Sequence, residues 1–229
     1  MKERKLEVYL GERFVGTMAQ TADRRVAFAY SEEWLDNGFA ISPFSLPVEQ
    51  KVFVPTSQAF SGLWGVFADS LPDAWGQLLV DRMLKARGIL SADMTQLERL
   101  AIVGDSGMGA LAYRPAWNIH QDAAIGDLDE LSAQCHAILN HEDAGDLDEL
   151  FQMGGSSGGA RPKIMTDEWI IKFPASDEMK DSGTMEKAYM DCAADCGIIV
   201  PETKLMLFLI MICRRTMNTI FTGLAEQAE

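Results

Sequence analysis

A glycine-rich stretch between residues 154 and 160 constrains the fold of this chain more than any other feature. Its seven consecutive positions hold four glycines, two serines and one alanine. Such small residues cannot pack a hydrophobic core, but they let backbone N–H groups converge on an anion without obstruction by Cβ atoms. A flexible linker has the same composition. Composition alone therefore leaves two alternatives, a phosphate-binding loop and a linker.

The residues after this stretch predict a strand and then a helix. Residues 168–173 alternate, so that the apolar side chains face one way and Lys172 faces the other. An apolar stripe with helical spacing then runs from Met185 to Cys196, and Glu186 lies at its edge, early in the predicted helix. A lysine in the middle of a strand is more often solvent-exposed than functional, so the strand alone does not identify a site.

The four cysteines indicate neither a disulfide framework nor a metal site. They are too few and too widely spaced for a disulfide-stabilised scaffold. Cys192 and Cys196 lie one helical turn apart within the apolar stripe, with no histidine or second cysteine pair nearby. We therefore expect two buried core thiols and assign no metal ligand.

The remainder of the chain predicts an α+β fold whose N-terminal subdomain is rich in β-strands and contains short helices. A β-hairpin is expected over residues 6–18. Thr95 and Glu98 form a capping-box pattern that predicts a helix start. Asp69 or Asp73 is expected to cap a helix.

A repeated hexapeptide indicates how the chain is divided. The residues from Gly126 to Leu131 recur from Gly145 to Leu150, and each copy precedes an apolar periodic run. Acidic residues in these positions favour two helix N-termini. We expect an N-terminal subdomain over 1–112, connecting acidic helices over 113–150, and a partial kinase-like lobe over 151–229.

The charge balance and hydropathy argue against two kinds of partner. Lys and Arg total 20 against 34 Asp and Glu, a net charge of −14, which repels a phosphate backbone. Direct nucleic-acid binding is not expected. The N-terminus has no apolar leader, and the longest apolar run, from Leu205 to Cys213, is about half of a membrane span. We expect no membrane segment and a cytoplasmic location.

The order of a glycine-rich loop, a strand bearing a lysine and a helix with an early glutamate resembles the ATP-binding lobe of a protein kinase. The chain resembles in particular the HipA family, the serine/threonine kinase toxins of bacterial toxin–antitoxin systems. Seven motifs in the family's order carry this resemblance over roughly residues 5–206. They are Phe28-Ala-Tyr30 with Glu33-Trp-Leu35, Ser42-Pro-Phe-Ser-Leu-Pro47, Phe67-Ala-Asp-Ser-Leu-Pro-Asp73, Gly104-Asp-Ser-Gly-Met-Gly-Ala-Leu111, Ser156-Ser-Gly-Gly-Ala-Arg-Pro-Lys163, Trp169-Ile-Ile-Lys-Phe-Pro174, and Met185-Glu-Lys-Ala-Tyr189 through Val200-Pro-Glu-Thr203.

The resemblance implies a kinase that uses ATP and Mg²⁺. Ser156 matches the family's autophosphorylation site, at which phosphate would occupy the space kept for nucleotide. Family members are typically partnered by a small DNA-binding HipB-like antitoxin, and their known substrates are aminoacyl-tRNA synthetases, above all glutamyl-tRNA synthetase. The implied nucleotide-binding residues are Ser156, Ser157, Gly158, Gly159, Ala160, Lys163, Lys172 and Glu186.

The catalytic residues of such a kinase are expected to be absent from this chain. Phosphoryl transfer needs a catalytic aspartate together with a metal-binding asparagine and aspartate. Only 57 residues follow Lys172, with a single asparagine, Asn218, and no aspartate after Asp195. No catalytic residue is therefore assigned. The segment from about Leu207 onward is interpreted either as an aberrant end, through a frameshift, a premature stop or a split gene, or as a strand and an amphipathic terminal helix.

We therefore expect the N-terminal part of a HipA-like kinase, inactive when alone. The alternative is a non-catalytic binding module or an antitoxin-like regulator of a partner kinase. Two structural predictions accompany the kinase interpretation. Lys172 and Glu186 should form an ion pair within about 4 Å. The segment from Gly154 to Gly159 should be the most mobile ordered part between residues 150 and 200, or be missing from electron density.

Overall fold

The computed structural model describes residues 5–107, 109–117, 128–140, 142, 150, 159, 161–166, 169–175, 181–206 and 210–214. The chain divides into two compact units. The first unit is Met1–Ala123 with Leu147–Gly159, and the second unit is Ala124–Asp146 with Ala160–Glu229.

A four-stranded antiparallel sheet forms the first unit's framework. Its strands are β1 (Lys5–Leu10), β2 (Arg13–Gln20), β3 (Val26–Tyr30) and β4 (Leu111–Arg114), in the order β3-β2-β1-β4. Alternate residues of β1, such as Leu6 and Val8, are fully buried, as the period of a half-buried strand requires. The predicted hairpin over residues 6–18 is confirmed.

The short helices of the first unit lie between β3 and β4 in the sequence. They are α1 (Glu32–Asn37), α2 (Gly65–Ala68), α3 (Ala74–Ala86) and α4 (Gln96–Val103), with 3₁₀ turns at Ala59–Gly62 and Ser91–Asp93. One hydrophobic cluster joins the sheet to α1, α2 and α4, with Phe28 and Phe67 in ring contact within it. The burial of this cluster supplies the main stabilising free energy of the unit.

The predicted capping box at the start of α4 is present. Thr95 Oγ1 accepts from the backbone N–H of Glu98 at 3.2 Å, and the Glu98 carboxylate accepts from the backbone N–H of Thr95 at 2.8 Å. Both side chains are buried. The helix ends at Gly104, whose φ of 52° is accessible to glycine at little cost.

The second unit contains a separate antiparallel sheet and two helices among its described residues. The strands are β5 (Lys163–Met165), β6 (Trp169–Lys172), β7 (Thr203–Met206) and β8 (Ile210–Arg214), in the order β5-β6-β8-β7. The helices are α5 (Leu128–Leu139) and α6 (Ser182–Asp195), and α6 lies against β7 and β8. The second predicted acidic helix, after residue 145, falls outside the described residues apart from Leu150.

The fold class is therefore mixed α and β, with antiparallel sheets and several helices, which agrees with the coarser part of the α+β prediction. Within the described part of the chain, no helix combines the length and apolar character needed to cross a bilayer.

Candidate functional site

Strands β5 and β6 separate an apolar face from a cationic face. Ile164 and Ile171 are opposite each other in the ladder, and both are buried. Lys163 and Lys172 form the adjacent opposed pair. Because successive side chains of a strand point to opposite faces, the two lysines share the face that the isoleucines leave. Lys172 thus lies on the face expected from the sequence.

Helix α6 places Glu186 against this cationic face. Glu186 belongs to the early part of the helix, and its Oε1 accepts a hydrogen bond from Lys172 Nζ. The Lys172 side chain is 24% exposed and the Glu186 side chain 30% exposed, so both charges are partly removed from water. The predicted ion pair between these two residues is confirmed.

Arg161 is a second cation at the same carboxylate. Its Nη1 donates to Glu186 Oε2 at 3.2 Å, and its Nε donates to the backbone carbonyl of Phe173 at 2.9 Å. Its side chain is 13% exposed, less than that of Lys172. Sequence reasoning did not assign Arg161 to the site. A usable signal existed, because Arg161 precedes Lys163 by two residues and an extended chain places such residues on one face.

Three cations and one carboxylate lie on this face of the second unit. Arg161 and Lys172 share the carboxylate of Glu186, and Lys163 is the cross-strand neighbour of Lys172. A polyanion close to this face would gain from the partial removal of these cations from water. The cluster therefore suits a polyphosphate.

The last glycine of the glycine-rich stretch makes two hydrogen bonds within the first unit. The Gly159 N–H donates to Asp73 Oδ2 at 2.7 Å, and the Gly159 carbonyl accepts from the Trp75 N–H at 3.2 Å. Gly159 has a φ of 87°, in the region that favours glycine. Ser156, Ser157, Gly158 and Ala160 lie outside the described residues, as does the rest of the segment that was predicted to be mobile.

The expectation that Asp69 or Asp73 caps a helix is met by Asp73 in position but not by a side-chain hydrogen bond. Asp73 stands at the N-cap position of α3, but its side chain makes no capping hydrogen bond. The carboxylate bonds instead to the Gly159 amide, 86 positions away. A carboxylate can satisfy a distant donor in place of the helix amides when the fold brings that donor within reach.

The expectation of two core thiols in α6 was wrong. Cys192 and Cys196 are both exposed, and Met185 and Tyr189 of the same stripe are exposed as well. The helical spacing was real, but nothing among the described residues buries this stripe. Cys135 in α5 is the buried thiol, and its burial raises the pKa to about 12. Among the described residues, no group of three or more His, Cys, Asp or Glu side chains could hold a metal ion.

Two protein-family models match most of the chain. Residues 6–114 match the model described as the HipA N-terminal domain. Residues 155–215 match the model described as the HipA-like C-terminal domain, and this range includes Arg161, Lys163, Lys172 and Glu186. No curated protein matches the chain.

Proposed function

Because the chain belongs to the HipA family, we propose that it binds ATP through its second unit, in the manner of the N-terminal lobe of a protein kinase. Lys172 would bond the phosphates, and Glu186 would orient Lys172. Bound ATP supplies the phosphoryl group. The residues of this chain bind and orient it.

The observation that carries this proposal is the pair formed by Lys172 and Glu186. A strand lysine and a glutamate from the following helix form the arrangement that positions the nucleotide phosphates in protein kinases. The pair is accompanied by Arg161 and Lys163 on the same face. Cations grouped on one face favour the approach of a polyphosphate.

We also propose that this chain transfers no phosphate by itself. The positioning of a phosphoryl group removes only part of the barrier, and the transition state needs a base and metal ligands to stabilise its charge. Residues 173–229 contain one asparagine, Asn218, and their last aspartate is Asp195. No aspartate therefore precedes an asparagine at the spacing of a kinase catalytic loop. The described residues offer no set of ligands for Mg²⁺.

The partners proposed for the chain are those of the family. They are a small DNA-binding HipB-like antitoxin and, as the substrate of an active kinase, an aminoacyl-tRNA synthetase. Ser156 is proposed as a phosphate acceptor, because a phosphate there would repel the phosphates of an incoming nucleotide.

A nucleotide-binding measurement tests the main proposal. Isothermal titration calorimetry with ATP should give saturable binding to the wild-type chain. Lys172→Met should weaken binding at least about tenfold, since it removes a charge-assisted contact to phosphate. Lys187→Met is the matched control, because Lys187 pairs with Asp191 on α6 and not with Glu186. Equal affinities for wild type and Lys172→Met would refute the assignment of the site.

A transfer assay tests the second part of the proposal. Incubation with Mg²⁺ and ATP labelled at the γ-phosphate should give no incorporation into Ser156, Ser157 or glutamyl-tRNA synthetase. Robust labelling that Lys172→Met abolishes would refute the claim that the chain needs further catalytic residues.

The second candidate function is a non-catalytic binding module. It is favoured by the first unit, whose sheet and helices enclose a hydrophobic cluster of their own. Such a module would bind a partner kinase and restrain it. The full chain would then lower substrate phosphorylation by an active HipA-family kinase when mixed with it, whether or not Lys172 is replaced. Inhibition without measurable ATP binding would favour this function over the first.

A further inference from the structure

Glu186 is bonded twice, and only one of its bonds involves the lysine expected to meet phosphate. Lys172 donates to Glu186 Oε1, and Arg161 donates to Glu186 Oε2 at 3.2 Å. Arg161 is itself fixed, because its Nε donates to the carbonyl of Phe173 at 2.9 Å. The N–H of Phe173 donates to the carbonyl of Pro162, also at 2.9 Å. The guanidinium therefore joins the start of the β5 segment, the end of β6 and the first part of α6.

The geometry makes the bond from Arg161 independent of Lys172. A lysine that turns towards a phosphate loses part of its contact with the carboxylate. Without another cation, Glu186 would then be a partly buried charge facing an arriving anion, which is unfavourable. The Arg161 guanidinium keeps the negative charge of the Glu186 carboxylate neutralised. A guanidinium is suited to this role, since its planar donors can serve a carbonyl and a carboxylate at the same time.

We propose that Arg161 is a positioning residue of the phosphate site. It holds Glu186, and with it the first part of α6, against the β5–β6 pair, whether or not Lys172 is engaged by an anion. Arg161 acts through Glu186 and does not itself contact the nucleotide. This inference rests on the proposed function for its role in binding, but the structural tie that it describes exists without nucleotide.

The first test uses the ligand-free chain and does not depend on nucleotide binding. Amide hydrogen exchange measured by mass spectrometry should be several-fold faster in the peptide covering Ser182–Asp195 when Arg161→Gln is introduced. Lys187→Gln removes the same charge from an ion pair on the same helix and should leave the early part of that peptide unchanged. Arg161→Lys retains the charge but cannot make both bonds, so its exchange rate should be intermediate. An exchange rate in this peptide of Arg161→Gln that equals the wild-type rate would overturn the inference.

The second test is a double-mutant cycle on ATP affinity, combining Arg161→Gln with Lys172→Met. Each single variant should weaken ATP binding, and the double variant should be no weaker than Lys172→Met alone, because Arg161 acts only through the positioned pair. AMP affinity should fall less than ATP affinity in Arg161→Gln. Losses that multiply in the double variant would mean that Arg161 contacts the nucleotide directly, which overturns the positioning role.

The two tests distinguish failure of this inference from failure of the proposed function. If the wild-type chain binds no ATP while Arg161→Gln accelerates exchange in α6, the proposed function is wrong and the tie between Arg161 and Glu186 stands. If ATP binds but neither exchange nor affinity responds to Arg161→Gln, the proposed function stands and the positioning role is wrong.

Discussion

Replacement of Asp73 by alanine should release the end of the glycine-rich stretch without destabilising the helix that Asp73 precedes. Asp73 accepts a hydrogen bond from the Gly159 N–H at 2.7 Å and makes no capping bond to α3. Hydrogen bonds to charged groups contribute about 1.5 to 3 kcal/mol, and the exposed position of this one favours the lower end. A loss of about 1.4 kcal/mol corresponds to a tenfold change in an equilibrium constant. The amide exchange of Gly159 should therefore accelerate about tenfold.

The assay is hydrogen exchange followed by NMR on protein labelled with ¹⁵N-glycine, together with urea unfolding. Asp73→Asn keeps a neutral acceptor and should give an intermediate rate at Gly159. Asp69→Ala is the matched control, because Asp69 is another exposed acid of the same loop and makes no bond to Gly159. The free energy of unfolding should fall by no more than about 1.5 kcal/mol in Asp73→Ala, since the bond to Gly159 is lost but no cap is.

Two outcomes would refute this reasoning. An unchanged Gly159 exchange rate would mean that the bond to Asp73 contributes nothing. A loss of unfolding free energy well above about 1.5 kcal/mol, with faster exchange throughout α3, would mean that Asp73 acts as the helix cap after all.

Three further predictions concern the buried polar groups and thiols. Thr95→Ala should lower the free energy of unfolding by about 2 to 4 kcal/mol in urea, because it removes an N-cap and a donor to the buried Glu98 carboxylate, whereas Thr95→Ser should lower it far less. Iodoacetamide at pH 8 should alkylate the exposed Cys192 and Cys196 rapidly, and the buried Cys135 only when the protein unfolds, as measured by peptide mass spectrometry. Equal alkylation rates at these three cysteines would contradict the burial of Cys135. The pKa of Cys135 is raised to about 12 in the folded chain, so the thiol of the unfolded chain ionises first as the pH rises above 9. The free energy of unfolding of the wild type should therefore fall by about 1.4 kcal/mol relative to that of Cys135→Ala by pH 10. A difference between the two proteins that stays constant with pH would contradict this prediction.

Local sequence patterns predicted the parts of this fold that depend on neighbouring residues. The hairpin of β1 and β2 follows from alternation around a two-residue turn. The capping box joins Thr95 to Glu98, only three residues apart. The pair of Lys172 and Glu186 required more, because periodicity placed each residue on a face and the family resemblance suggested that the two faces meet.

Contacts between distant residues could not be predicted in the same way. Arg161 bonds to Glu186 across 25 positions, and Asp73 bonds to Gly159 across 86. In each contact, the residues around one partner do not indicate the other partner. Asp73 was therefore expected to take the capping role that its position before a helix favours. Cys192 and Cys196 show a related limit. A periodic apolar stripe predicts which side chains share a face, but it does not specify which element, if any, covers that face.

The division of the chain limits how its two units can be exchanged by gene fusion or recombination. The chain passes from one unit to the other after residues 123, 146 and 159. A gene fusion joins two sequences at a single point, and a junction after residue 123 would leave behind Leu150, which is fully buried, and Gly159, which is bonded to Asp73. A junction after residue 159 keeps both but brings residues 124–146 of the second unit along. A single junction in the chain therefore cannot separate the two units from each other.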